Sequence, residues 1–382
     1  MMNRYFRYLL WELFKSLFMA TLVSLVVLLG LQFLRLSELI VRFDVELELI
    51  AKMVMGLGTS FLPLVLPISF LFAALSTFGR LSVDKEFVAF LSMGVGPKKL
   101  LRPCLLLAFL LSLVTLWTSF YIGPKGNRMF EEFVDEAFRK KVTSSLRSGT
   151  FAESFLGLVI FVDKVDSTMT KLERVFIHDE QSYKESVSIS AREGTWVQKE
   201  ENGSYLGILG LRHGILVSQN PEAQSVRRIE FDEYNIFTDF NRHAGRSRDS
   251  PPSLDGPTLF KMRNDAQLQV GLDARPIWSE IAKRMALAFV PLLFGPLAFF
   301  LSFETGRTVK SRSVFLGLLI LLLYWTLYFT LVTFAMKSSS QILVQEEILT
   351  HFIVWIPNFI LFFAALYFSK MRIGKSSKSL TR

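Results

Sequence analysis

Six stretches of this chain are long and apolar enough to cross a lipid bilayer, and nothing else in the sequence constrains the fold as strongly. They lie near 16–34, 54–78, 103–122, 285–303, 314–336 and 351–369. The hydrocarbon layer takes about 20 residues of helix, and backbone left unpaired inside it is too costly. Each stretch is therefore expected to be a transmembrane helix. The first resembles a signal peptide in position only. Its apolar run is too long, and it ends in Gln32-Phe33-Leu34-Arg35 without a small-residue cleavage site. It is read as a retained helix. The hydrophobic share of 51 % would suit a soluble protein, so the blocking of apolar residues decides the matter. A single soluble globule and a disordered chain are both excluded.

The charges separate in the same way. Residues 124–280 hold 21 Lys and Arg against 24 Asp and Glu, a balance of −3 within a total of +9. The basic excess thus belongs to the apolar blocks. A nucleic-acid binder would concentrate it in the soluble part, so no nucleic-acid partner is expected. With the N-terminus inside, the inner segments 1–15, 79–102, 304–313 and 370–382 carry 16 Lys and Arg. The short outer loops 35–53 and 337–350 carry 4. The positive-inside bias then places both termini in the cytoplasm and the 124–280 insert outside it. Prolines at 63, 67, 291, 296 and 357 fall inside the spans and tend to kink them.

The insert changes period. Residues 127–142 have helical apolar spacing. After them, 158–165, 172–178, 186–191, 205–211, 214–218 and 229–237 read as short strands between Gly, Asn, Asp and Ser. An all-β sandwich or roll is expected. Residues 241–257, polar with three prolines, read as a loop, and 258–284 lead back to the membrane. Glu280 and Arg284 form an i,i+4 pair and are read as structural. The expected divisions are 1–123, 124–280 and 281–382.

Ordinary catalytic chemistry is missing from the sequence. The lone Cys104 allows no intramolecular disulfide or cysteine cluster. His178, His213, His243 and His351 have no metal-ligand spacing, so no metal site is expected. There is no Gly-x-Ser-x-Gly elbow. Gly374-Lys375-Ser376-Ser377 imitates the end of a P-loop, but Ser369 stands where the first Gly belongs. No catalytic residue is assigned, and energised work would have to come from a partner.

The most informative segment is the inner loop 79–102, GRLSVDKEFVAFLSMGVGPKKLLR. Ser82 could cap a helix near 82–94 with Asp84 and Glu86 in its first turn. Phe87, Phe90 and Leu91 would share its apolar face, Gly94 would end it, and Pro97 would prevent continuation. Such a helix either lies on lipid or docks a cytoplasmic motor, with Glu86 offering a carboxylate to an arginine.

RLSVDKEFVAFLSMGVGPKKLLRP resembles the corresponding loop of the lipopolysaccharide-export ABC transporter permeases of the LptF/LptG (YjgP/YjgQ) type. Pro97 stands close to where that family usually has Ser. SISAREGTWV and LRHGILVSQNPEAQSVRRIEFDEYNI resemble the family's β-domain segments. WSEIAKRMALAFVPLLFGPLAFFLS resembles its entry into span four, and WIPN at 355–358 its last span. The resemblance covers most of the chain. It implies an α-helical membrane protein with six transmembrane helices and an inserted all-β, jellyroll-like periplasmic domain. It also implies a bacterial inner-membrane permease that extracts lipopolysaccharide and passes it to a periplasmic bridge component. The partners would be a second homologous permease and a cytoplasmic ATPase dimer that carries the ATP and Mg, this chain binding no cofactor itself.

By position, the resemblance assigns ATPase coupling to Glu86 with Asp84, Phe87 and Phe90, and lipid-phosphate binding to Arg35 and Arg42. The residues themselves also allow Arg35 and Arg42 simply to mark the headgroup boundary, with Glu38 and Asp44 as partners. Leu31, Phe33, Tyr324 and Tyr328 could line an acyl-chain route or pack helices. Val159, Phe161, Ile177 and Ile189 could line a groove or form a core. A permease for another lipid or lipoprotein, and a non-transporting scaffold with a periplasmic binding domain, remain as alternatives.

Overall fold

The computed structural model describes residues 2–43, 46–145, 149–155, 158–166, 171–179, 186–201, 204–220, 225–239, 250–268, 275–302, 309–337 and 343–379. The chain forms two compact units. One comprises residues 1–35, 54–127 and 251–382, the other 36–53 and 128–250. The expected insert therefore loses its last thirty residues to the helical unit, and the segment after the first span joins the other unit.

The helical unit follows from the apolar runs. The helices are α1 (Met2–Phe43), α2 (Leu47–Val83), α3 (Glu86–Ser92), α4 (Pro97–Trp117), α5 (Gly123–Ser145), α6 (Gly256–Leu268), α7 (Arg275–Ser302), α8 (Val309–Lys337) and α9 (Leu343–Ser379). Six helical stretches span a membrane by length and composition, Arg4–Phe33, Leu47–Val83, Pro97–Val134, Pro276–Ser302, Arg312–Ala335 and Phe352–Met371. All six expected spans are present, each longer than its apolar core. Helix α4 continues into α5 through a π-helical turn, Thr118–Ile122.

Helix α7 is central, packing against α4, α8 and α9. It is apolar around its circumference, as a helix buried on several sides must be. Gly295 lets neighbours approach closely, since a Cβ there would lie 3.2 Å from both Cys104 Sγ and Phe70 Cε1. Helix α1 is the opposite case. Leu9, Leu13 and Leu17 are buried, while Phe18, Leu22, Val26, Leu31 and Phe33 are exposed. In a bilayer those residues meet acyl chains, so their exposure carries no hydrophobic penalty.

The other unit holds a six-stranded antiparallel sheet, β1 (Thr150–Phe155), β2 (Leu158–Val165), β3 (Lys171–Asp179), β4 (Ser186–Glu201), β5 (Ser204–Asn220) and β6 (Ser225–Asp239). Strand order is sequential, so every connection is a hairpin. The inserted β domain is as expected, with β2 at its expected bounds, the later strands longer than their apolar runs and β1 added. Residues 205–211 and 214–218, read as two strands, are one strand.

The cause is a line of irregular pairing that crosses the sheet. Pairing passes over Asp163 and Arg174 between β2 and β3, then Arg192, His213 and Asp232 in β4, β5 and β6. Arg174 and His213 take left-handed φ of 52° and 51°. The inward positions change parity across this line. Val175 gives way to Leu172, and Leu216 to Leu211. At this aligned row of unpaired positions the strands turn over together, so one face stays apolar while the register is the same on both sides. That face buries Ile160, Val162, Ile177, Ile189, Trp196 and Leu209. Ile177 and Ile189 are therefore core residues, while Phe176 points outward.

Candidate functional site

The candidate docking helix α3 is short, and its termini differ from the expected ones. Helix α2 runs on to Val83, so Ser82 is buried in its last turn and does not cap α3. A capping residue must sit just before the helix with a free hydroxyl, and Ser82 meets neither condition. Lys85 occupies the N-cap in a left-handed conformation, without a side-chain cap. Asp84 precedes the helix, and Glu86 opens it. The C-terminus is as expected. Gly94 is left-handed at φ 76°, its N–H donates to Leu91 O, and Val95 N–H donates to Phe90 O. Pro97 is accommodated in the first turn of α4, where a missing N–H costs nothing.

One face of α3 is fastened to three other helices. Phe87 is buried, stacked on Phe78 of α2 with centroids 6.2 Å apart and edge-on to Phe299 of α7 at 5.9 Å. Phe90 packs on Tyr5 of α1, with centroids 6.4 Å apart. The Tyr8 hydroxyl, also on α1, lies 3.1 and 3.2 Å from the two carboxylate oxygens of Glu86. Val88, Ser92 and Met93 remain exposed on the other face.

Arg80 is the electrostatic centre of this region. Its guanidinium reaches Glu12 at 2.8 Å, Glu86 at 3.4 Å and Asp84 at 3.5 Å. Lys15 holds Glu12 at 2.8 Å from the same helix. Three carboxylates thus share two cations. Glu86 is already paired within the chain, with its side chain 29 % exposed, whereas Asp84 is 48 % exposed and more weakly held. The geometry makes Asp84 the more available carboxylate for an incoming cation, and it gives Glu86 an internal tie.

Glu280 and Arg284 are buried and paired. Arg284 Nε donates to Glu280 at 2.9 Å, and Lys283 also contacts Glu280. The remaining guanidinium donors reach Leu254 O at 2.8 Å, Pro251 O at 3.0 Å and Pro252 O at 3.1 Å. Arg284 lies over the Phe120 ring. A buried guanidinium needs this complete a set of acceptors. Arg35 and Arg42 both lie in α1, but their side chains fall outside the described residues. Among the described residues no cluster of His, Cys, Asp or Glu could hold a metal.

Residues 7–371 match the lipopolysaccharide export system permease LptF/LptG family. The chain belongs to the LptF/LptG family. It is 23 % identical over 339 residues to the lipopolysaccharide export system permease protein LptF of Escherichia coli strain K12. That alignment covers 87 % of this chain and 86 % of the relative. The LptF of Shigella flexneri gives the same figures. As an LptF/LptG permease with six membrane helices, the chain is a multi-pass inner-membrane protein.

Within this LptF/LptG fold, sequence reasoning passed over Tyr8, Glu12, Lys15 and Arg80. Arg80 lies four residues before Asp84 and six before Glu86, a usable local signal. Tyr8 and Glu12 lie more than sixty residues away, and nothing local points to them. Tyr324 and Tyr328 are buried and hydrogen-bonded. Tyr324 donates to Asn358 Oδ1 at 2.9 Å, Asn358 donates to Ala286 O at 2.9 Å, and Tyr328 donates to Lys283 O at 3.0 Å. These bonds join α7, α8 and α9, so both tyrosines hold helices together. They also give the Asn of WIPN a physical reason.

Proposed function

We propose that this chain is the membrane-spanning half-channel of an ABC-type exporter that extracts lipopolysaccharide from the inner membrane. A second, homologous permease completes the channel. A cytoplasmic ATPase dimer supplies the ATP and Mg, this chain having no nucleotide site of its own. The periplasmic β domain passes the lipid to a bridge component. Both termini are cytoplasmic, in keeping with the concentration of Lys and Arg in the inner loops.

The observation that carries this reading is the match to the LptF/LptG family along residues 7–371. The geometry of α3 adds a route for coupling. A force on its exposed face, around Val88 and Met93, passes through Phe87 to α2 and α7 and through Glu86 and Phe90 to α1. Packed aromatic contacts and charged hydrogen bonds transmit displacement because close-packed groups compress little. Asp84 offers the incoming motor a carboxylate, Glu86 keeps α3 on α1, and Phe87 and Phe90 set the seat of α3. At the far end of the first span, Arg35 and Arg42 supply guanidinium groups suited to bidentate pairing with lipid phosphates.

The test is purification of the full chain from its host in mild detergent. A soluble ATPase, a second six-span permease and a bound glycolipid are expected to accompany it. Repeated isolation without any ATPase would overturn the export reading. Protease accessibility of a tag on the C-terminal tail in sealed vesicles tests the orientation independently.

A further inference from the structure

A groove of about 970 Å³ runs between α1 and α4 at the N-terminal end of the first span. Its walls are apolar, formed by Trp11 and Phe14 of α1 and Leu107 and Val114 of α4 among others. Its mouth carries Arg4 and Arg7. On a helix of 3.6 residues per turn, positions 4, 7, 11 and 14 share one face, so both cations stand directly below the aromatic wall. The volume lies at the upper end of the roughly 300–1,000 Å³ found for ligand clefts.

The two arginines are exposed, and among the described residues neither enters an ion pair. The nearest acidic side chain along α1, Glu12, is already held by Lys15 and Arg80. The groove therefore combines a greasy trough with two uncompensated guanidiniums at one end. That is the inverse image of an anionic glycerophospholipid, with acyl chains along the trough and phosphate between the arginines. Basic pockets between membrane helices on the cytoplasmic side take headgroups of this kind, and guanidinium suits phosphate in both charge and shape.

We infer that this groove binds one anionic phospholipid of the cytoplasmic leaflet, held by Arg4 and Arg7. The inference rests on the proposed orientation only for the identity of the leaflet. A lipid seated there would fill the space between α1 and α4 beside the Tyr8–Glu86 contact. It would thereby steady the base of α1 where α3 is fastened.

Trp11 lines the groove, is 61 % exposed, and serves as a built-in reporter. The full chain is reconstituted into phosphatidylcholine vesicles containing dibrominated phosphatidylglycerol or dibrominated phosphatidylcholine at increasing mole fraction. The Trp11 signal is taken as the difference between the native protein and Trp11→Phe. Phosphatidylglycerol should quench Trp11 at about tenfold lower mole fraction or less. The double substitution Arg4→Gln, Arg7→Gln should abolish that preference, while Arg4→Lys, Arg7→Lys should keep part of it. Unchanged quenching of the other tryptophans checks that the variants are folded.

Equal quenching by the two lipids would overturn the inference, as would a preference that survives the double Gln substitution. Absence of quenching by either lipid would show the groove covered by protein, and would overturn it too. Protease mapping of the C-terminal tail in sealed inner-membrane vesicles from the host separates the two claims. Selective quenching with the tail on the periplasmic side would refute the orientation and keep the lipid site.

Discussion

Tyr8 and Glu86, 78 residues apart, meet across 3.1 Å, and that contact fastens the short helix α3 to the base of the first membrane helix. The link is polar and partly exposed, so it is a weak structural element with a defined place. Replacing Tyr8 with Phe should cost under about 1 kcal/mol of stability, because the ring still packs and only the hydroxyl is lost. If α3 passes force to α1, transport-coupled ATP hydrolysis in the assembled complex should fall while the amount of complex is unchanged. Thermal unfolding and ATPase assays on the same preparation check both halves. Unchanged coupling would mean that α3 acts through Phe87 and Phe90 without the Tyr8–Glu86 contact.

Arg80 should matter more than any one of its carboxylates. Arg80→Leu leaves Glu12, Asp84 and Glu86 clustered, with Lys15 the one other cation paired to them among the described residues, and should cost about 1–2 kcal/mol, less at high salt. Glu86→Gln should cost less than Arg80→Leu. Asp84→Asn should leave stability almost unchanged and weaken ATPase association most. A double-mutant cycle between Arg80 and Glu86 measures their coupling directly. Glu86→Arg would place two cations together and confuse a docking effect with loss of this internal tie.

Arg284→Met should be among the most damaging single changes in the helical unit, at about 3–5 kcal/mol. It leaves the buried Glu280 with Lys283 alone and frees the carbonyls of Pro251, Pro252 and Leu254. Arg284→Lys should rescue little, since one ammonium cannot reach the same acceptors. Expression level and thermal unfolding in detergent report the difference.

Gly126 and Gly30 should answer differently to the same change. A Cβ on Gly126 would lie 2.6 Å from Ser60 N and 2.7 Å from Gly56 O, backbone atoms that cannot turn aside. Gly126→Ala should cost about 1–3 kcal/mol by forcing helices apart. Gly30 has nothing within 4 Å of the added carbon, and Gly30→Ala should be neutral or slightly stabilising. Parallel thermal melts of the two variants decide this.

The hydrogen bond between Tyr324 and Asn358 offers a test inside the bundle. Tyr324→Phe and Asn358→Leu should each cost about 1 kcal/mol, in the range measured for bonds between membrane helices. The double variant should cost less than the sum. Additive losses would mean that the two side chains act separately.

Much of the architecture was legible because it rests on short-range patterns. Apolar runs announce spans, alternation announces strands, and Gly94 announces a helix end wherever they occur. Ser82 shows where that legibility stops. Its type suits a cap, yet α2 continues through it because Leu81 and Phe78 bury themselves in the core. Residues 205–211 and 214–218 read as two strands in the sequence. The break is a single unpaired position, His213, with left-handed φ inside one strand, whose register with both neighbours is the same before and after it.

By itself the sequence determined the six spans, the inserted β domain and the family, through periodicities and segment resemblances that need no knowledge of distant contacts. It also singled out the 79–102 loop. Only the tertiary structure decided what the residues of that loop do. Glu86 turned out to be tied to Tyr8 and Arg80, Phe87 to be core, and Asp84 to be the carboxylate left available. The reason is physical. A side chain's charge is written in its type, but how much of that charge remains for a partner depends on which neighbours the fold brings within about 4 Å.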